Sequence, residues 1–119
     1  MSTSLAVRPA APVAVIDIGA SALKLTVAEP KADGGFTILE SLTRGVLLGK
    51  DTFTHGRLSA PSVEAALKAL EGFRRVLDDY GVVRHRAVAT SAVREAVNRD
   101  AFVDRVRLRT GLVLSLIHI

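Results

Sequence analysis

Cysteine and tryptophan are absent from this chain, and its aromatic residues are four Phe and one Tyr. Without cysteine there is no disulfide framework and no thiolate metal site, and nothing points to an oxidising compartment. The scarcity of aromatics removes the stacking platform on which nucleic acid is usually held, so a nucleic-acid partner is not expected. Long apolar runs are missing too, and no segment reads as membrane-spanning. The opening "MSTSLAVRPAAP" carries one Arg and two prolines but no apolar core. It reads as a loose tail over residues 1–12, not as a secretory signal. The expectation is a cytoplasmic protein with no membrane partner.

What is present describes an ordinary globular domain. The 119 residues are 49% hydrophobic and 24% charged, enough to bury a single core. Sixteen Lys and Arg outnumber twelve Asp and Glu, giving a net charge of +4 and a pI near 10.1. Arg84, Arg86, Arg94, Arg99, Arg105, Arg107 and Arg109 fall in one late segment. That excess favours an anionic partner, and phosphorylated small molecules or polymers suit it better than DNA.

Hydrophobic periodicity divides the chain. Val13–Ile18 is β-prone and apolar, as in a strand buried on both faces. Leu23, Leu25 and Val27 alternate with Lys24, Thr26 and Ala28, the period of a half-buried strand. "PKADGG" is a hairpin turn, and "FTILESLTRGVLL" resumes as a third strand. "GKDTFTHGRLS" reads as loop with at most one helical turn. Ser59 stands where an N-cap belongs, with Pro61 in the first turn. From there Val63, Ala66, Leu67, Leu70, Phe73, Leu77 and Tyr80 recur at helical spacing until Gly81. "RHRAVATS" is a short strand, with Thr90 or Ser91 capping a helical turn that runs to Ala96. Asn98 reads as the cap of a further helix ending at Gly111, and "LVLSLIHI" is strand-like. The order β-β-β-α-β-α-β predicts an α/β domain with a mixed sheet.

Two stretches could carry chemistry. "AVIDIGASALKLTVAE" places Asp17, Gly19, Ala20, Ser21 and Ala22 between strands, small residues through which a ligand can approach the backbone. Main-chain N–H groups there can hold a phosphate, with Ser21 donating and Lys24 neutralising charge. Asp17 beside a phosphate implies a cation between them, Mg²⁺, or a water to be oriented. The plainer alternative is an Asx-turn over Gly19 that binds nothing. In "VATSAVREA", Thr90, Ser91 and Arg94 would line a helix N-terminus suited to an anion. Here the plainer alternative is a cap and a solvated charge. His55, His85 and His118 show no metal-ligand spacing.

Taken together, "AVIDIGASALKLTVAE", "RGVLLGKDTFTHGRLS", "ALKALEGFRRVLDDYGV" and "VRHRAVATSAVREAVNRDAFVDRVRLRTGL" resemble the N-terminal domain of the Ppx/GppA phosphatases. These are exopolyphosphatases and guanosine pentaphosphate phosphohydrolases of the actin-like ATPase superfamily. The resemblance runs from about Val13 to Val113 and is most specific in the "ATSAVREA" portion. It implies a ribonuclease-H-like half-domain and a Mg²⁺-dependent phosphoanhydride hydrolase. The substrate would be polyphosphate or pppGpp, and a homodimer is open for the full-length protein. It also implies phosphate contacts from Gly19, Ala20, Ser21, Ala22, Lys24, Thr90, Ser91 and Arg94, and a metal contact from Asp17. Ala20 and Ala22 depart from the family's hydroxyl-bearing pattern, so backbone donors remain there and side-chain donors do not.

The family's catalytic Glu and its second, Gly-rich phosphate loop have no counterpart in these residues, so no catalytic residue is assigned and the chain is expected to be inert alone. The closing "LSLIHI" coincides with what a transposon-end sequencing adaptor encodes in one frame. The expected division is therefore a tail over 1–12, an incomplete domain over 13–113 and an adaptor-encoded tail over 114–119, against the alternative of a genuine final strand. Two other readings compete: a fragment of an actin-like superfamily kinase, which "ATSAVREA" argues against, and a non-catalytic phosphate- or anion-binding module.

Overall fold

A computed structural model describes residues 11–116. Strand β1 (Val13–Ile18) lies at the centre of a five-stranded sheet of order β3-β2-β1-β4-β5. It pairs antiparallel with β2 (Ala22–Pro30) and parallel with β4 (Arg84–Ala89). Strand β3 (Phe36–Gly45) adds antiparallel to β2, with a register shift between Val27 and Ala28. At the other edge β5 (Leu114–Leu116) runs parallel to β4. This is the mixed sheet that the element order predicts: hairpins make the antiparallel half, and helical crossovers return the chain for the parallel half.

The turn at 31–35 forms as expected. Lys31 N–H donates to Gly35 O at 2.7 Å, Gly34 sits at φ +92°, and the Asp33 carboxylate accepts from Gly35 N–H. The expected strand through "GVLL" stops at Gly45, because Val46 and Leu48 turn inward to the core. The segment read as loop is in fact helix α1 (Leu48–His55), closed by Gly56 at φ +75°. Helix α2 (Ala60–Asp79) starts at Ser59, whose Oγ accepts from Ser62 N–H. Its buried stripe is Val63, Ala66, Leu67, Leu70, Phe73 and Leu77.

The short α3 (Ser91–Arg94) and then α4 (Arg99–Thr110) follow β4, and Gly111 ends α4 at φ +75°. The turn expected to run to Ala96 is thus shorter, and neither Thr90 nor Asn98 caps with its side chain. The Asn98 amide instead pairs both ways with the Leu58 backbone, at 2.9 Å each. That exchange satisfies a loop which has no sheet or helix of its own to bond to.

One core holds the domain. Ala14, Ile16 and Ile18 of β1 and Leu23, Leu25 and Val27 of β2 point to the face that α2 and α4 cover. Val15, Asp17, Lys24 and Arg86 alternate onto the opposite face and are exposed. Most of the expected tail, residues 1–10, lies outside the described residues, as do His118 and the end of the expected adaptor tail, 117–119. Leu114–Leu116 pair with β4, which a short apolar run does at an open strand edge whatever its origin.

Candidate functional site

Strands β1 and β4 run in the same direction and end together, Ile18 beside Ala89. Thr90 N–H continues the ladder, donating to Ile18 O at 3.2 Å. The two candidate segments therefore leave the sheet at one edge, beyond the carboxyl ends of adjacent parallel strands, where ligands of open α/β sheets gather. Parallel pairing is what brings residues 19–22 and 90–94 together, and their separation in sequence hides it.

The first segment is tighter than the sequence suggests. Ile18 pairs with Leu23, and Gly19 N–H donates to Ala22 O at 3.0 Å, leaving Ala20 and Ser21 as the connection. The Ala20 and Ser21 carbonyls accept from Gly49 N–H at 2.7 Å and Val46 N–H at 3.2 Å. Their own N–H groups find no acceptor among the described residues. Both residues are exposed, so water or an anion can meet those donors. The smallness of Ala20 has a packing cause as well: a Cβ on Gly49 would stand 2.7 Å from the Ala20 Cβ.

Asp17 and Lys24 are cross-strand partners on the exposed face, and no ion pair within 4.0 Å joins them. Asp17 alone can offer one carboxylate to a metal. Among the described residues no group of three or more His, Asp or Glu could hold a metal ion. Mg²⁺ commonly takes one or two carboxylates together with waters and phosphate oxygens. The donor set at Asp17 fits a metal shared with a phosphate, not one caged by protein.

The second segment keeps its donors but loses much of its dipole. Ser91 N–H has no acceptor among the described residues. Helix α3 has only four residues, so the aligned peptide dipoles expected at its N-terminus are few. The Thr90 hydroxyl reaches toward Ile18 O at 3.5 Å, at the limit of a hydrogen bond. The Arg94 guanidinium is mostly covered and lies 3.7 Å from the Glu95 carboxylate. Beside it, Arg94, Glu95, Ala96, Val97, Arg99 and Asp100 line an open depression of about 700 Å³.

Helix α1 is what the sequence reading missed at this site. Its first turn meets the β1–β2 connection through Gly49, and the buried Thr52 hydroxyl donates to Ala92 O of α3 at 2.6 Å. In the same first turn, Asp51 accepts from Ser59 N–H and, at 2.7 Å, from the Ser59 hydroxyl. That hydroxyl holds the Asp51 carboxyl below its ordinary value. The signal for α1 was present in Gly56, a glycine placed where a helix needs a left-handed residue to stop.

The sequence profile of the Ppx/GppA phosphatase family matches residues 26–118. A crystal structure of the Aquifex aeolicus member of that family superposes with a TM-score of 0.85 at 37% identity, over 89% of this chain and 34% of that one. An exopolyphosphatase from Cytophaga hutchinsonii gives 0.85 at 30%, over 89% and 34%. Exopolyphosphatase 2 of Mycobacterium tuberculosis is 34% identical over 93 residues, 76% of this chain and 29% of its own length. The chain thus spans about a third of the solved structures and 17 to 30% of the curated relatives it matches. These neighbours have the actin-like ATPase fold, and the five-stranded sheet is that of one half-domain.

Proposed function

This chain belongs to the Ppx/GppA phosphatase family, and from that premise we propose that it supplies one wall of a site that hydrolyses terminal phosphoanhydride bonds. Inorganic polyphosphate is the substrate this reading favours, because relatives of similar sequence and structure are named exopolyphosphatases. The 5′-terminal phosphate of guanosine pentaphosphate is chemically equivalent and remains the second candidate. One observation carries the reading: the Thr90-to-Ile18 bond sets the two segments side by side, with the Ala20, Ser21 and Ser91 N–H groups all lacking acceptors among the described residues.

In this proposal Ala20 and Ser21 bind phosphate through their backbone N–H groups and the Ser21 hydroxyl, while Gly19 and Ala22, bonded to each other at 3.0 Å, shape the connection around it. Lys24, Thr90, Ser91 and Arg94 add charge and donors around it. Asp17 would hold Mg²⁺, which when bound neutralises phosphate charge and orients it. Backbone donors suit a polymer of identical units, since they read phosphate and ignore what it is attached to.

The test is titration of the chain with tripolyphosphate and Mg²⁺, followed by amide chemical shifts. The largest shifts are expected at Gly19–Ala22 and Thr90–Arg94. Shifts confined to the late arginines, or none at all, would overturn the site.

A further inference from the structure

Helix α1 touches both candidate segments through different atoms. Toward the β1–β2 connection, Gly49 N–H donates to Ala20 O at 2.7 Å, and just before the helix Val46 N–H donates to Ser21 O at 3.2 Å. Gly49 is buried with no room to spare: a Cβ there would meet the Ala20 Cβ at 2.7 Å and the Phe53 ring at 3.2 Å. Toward α3, the Thr52 hydroxyl donates to Ala92 O at 2.6 Å, and Thr52 is 5% exposed. After the helix, Gly56 O accepts from Val97 N–H at 2.9 Å. Thr52 is one of the few polar side chains in the core, and its bond reaches across 40 residues of sequence.

We infer that Gly49 and Thr52 are positioning residues that lock the β1–β2 connection and α3 into one arrangement, so that two weak sets of backbone donors act as a single phosphate-binding surface. The inference rests on the phosphate reading above. Its physical basis is that neither segment can hold a multiply charged anion alone. The connection is two exposed small residues, and α3 is a single turn. A phosphate met by both needs their separation fixed in advance, because ordering them on binding would consume much of the affinity. The hydroxyl of Thr52 fixes one distance, and the missing side chain of Gly49 permits the other. A helix that served only packing would present an apolar stripe, yet Leu48 is the only large apolar residue α1 buries; Gly49 and Thr52 complete its buried set.

Thr52→Val keeps the shape and removes the donor, and Thr52→Ser keeps the donor. Gly49→Ala presses on the connection from the other side. Thr110→Val serves as the control, because its hydroxyl is equally buried but bonds within its own helix and to Leu112.

Without ligand, Thr52→Val should move the amide shifts of Ala20–Ala22 as well as those of Ala92–Arg94, and speed hydrogen exchange at Gly49. With tripolyphosphate and Mg²⁺ as probe, Thr52→Val should weaken binding by about fivefold or more, the worth of one hydrogen bond, and Gly49→Ala should weaken it by displacing the connection. Thr52→Ser should restore affinity, and Thr110→Val should lose stability while keeping it. If Thr52→Val leaves the Ala20–Ala22 amides unmoved, or if Thr110→Val weakens binding as much, the inference is overturned. Failure of the wild-type chain to bind tripolyphosphate would sink the phosphate reading instead. The ligand-free shifts and exchange would then still decide whether α1 couples the two segments.

Discussion

Ser59 is where single-residue chemistry is most legible, because its hydroxyl has two jobs. It accepts from Ser62 N–H at 3.3 Å as the cap of α2, and donates to the Asp51 carboxylate at 2.7 Å. Ser59→Ala should cost about 1 kcal/mol, as lost caps do, measurable as a shift in the urea unfolding midpoint. An unchanged midpoint would mean the cap is idle. Asp51 makes a prediction with a sign. Its carboxyl is held below the ordinary 3.8, first by the Ser59 hydroxyl and then by Ser62. A depressed folded pKa stabilises above the unfolded value and loses that contribution as pH falls through the folded one. The stability gap between wild type and Asp51→Asn should therefore be full at neutral pH and shrink below 3.8. A gap that stays constant down to strongly acid pH would show that the bond does not form.

At the scale of elements, apolar periodicity made some parts visible and left others dark. The α2 stripe could be read directly because every buried position repeats at helical spacing. Phe73, 1% exposed in the middle of that stripe, tests it: Phe73→Ala should destabilise by about 3 to 5 kcal/mol, read from chemical denaturation. A loss of a few tenths would mean that α2 is not the main cover of the sheet. Helix α1 showed only its stop, Gly56, and was otherwise illegible for the opposite reason. It buries Leu48, Gly49 and Thr52, and is held by bonds to Ala20 and Ala92 that come from distant segments. No local pattern records a partner across the fold. Asn98 misled in the same way: it stands at a cap position, but its amide serves Leu58. The site was half visible. Small residues after β1 and hydroxyls after β4 could be noticed, but only the parallel register shows that they share an edge. The helix dipole inferred for Thr90–Arg94 was too generous, since the turn is four residues long.

The whole molecule presents a candidate binding edge where, among the described residues, few groups could do chemistry. Hydrolysis of a phosphoanhydride needs a base to orient and deprotonate water, and positive charge on the leaving side as well as around the transferred phosphate. Asp17 sits on the sheet's exposed face beside Lys24, and in the proposed function it holds the metal and is not the base. Among the described residues no further cluster of carboxylates or histidines stands near it. Glu95 stands next to the second segment, with its carboxylate 3.7 Å from the Arg94 guanidinium. The chain also spans about a third of the length of these solved Ppx/GppA relatives. Binding and turnover should therefore separate. Purified residues 1–119, given Mg²⁺ and long-chain polyphosphate, should show amide shifts at Gly19–Ala22 and Thr90–Arg94 yet release no orthophosphate above a heat-denatured blank. Release above that blank would place a working base within these residues. Glu95→Gln would be the first variant to make, since its carboxylate lies 3.7 Å from the second segment's arginine.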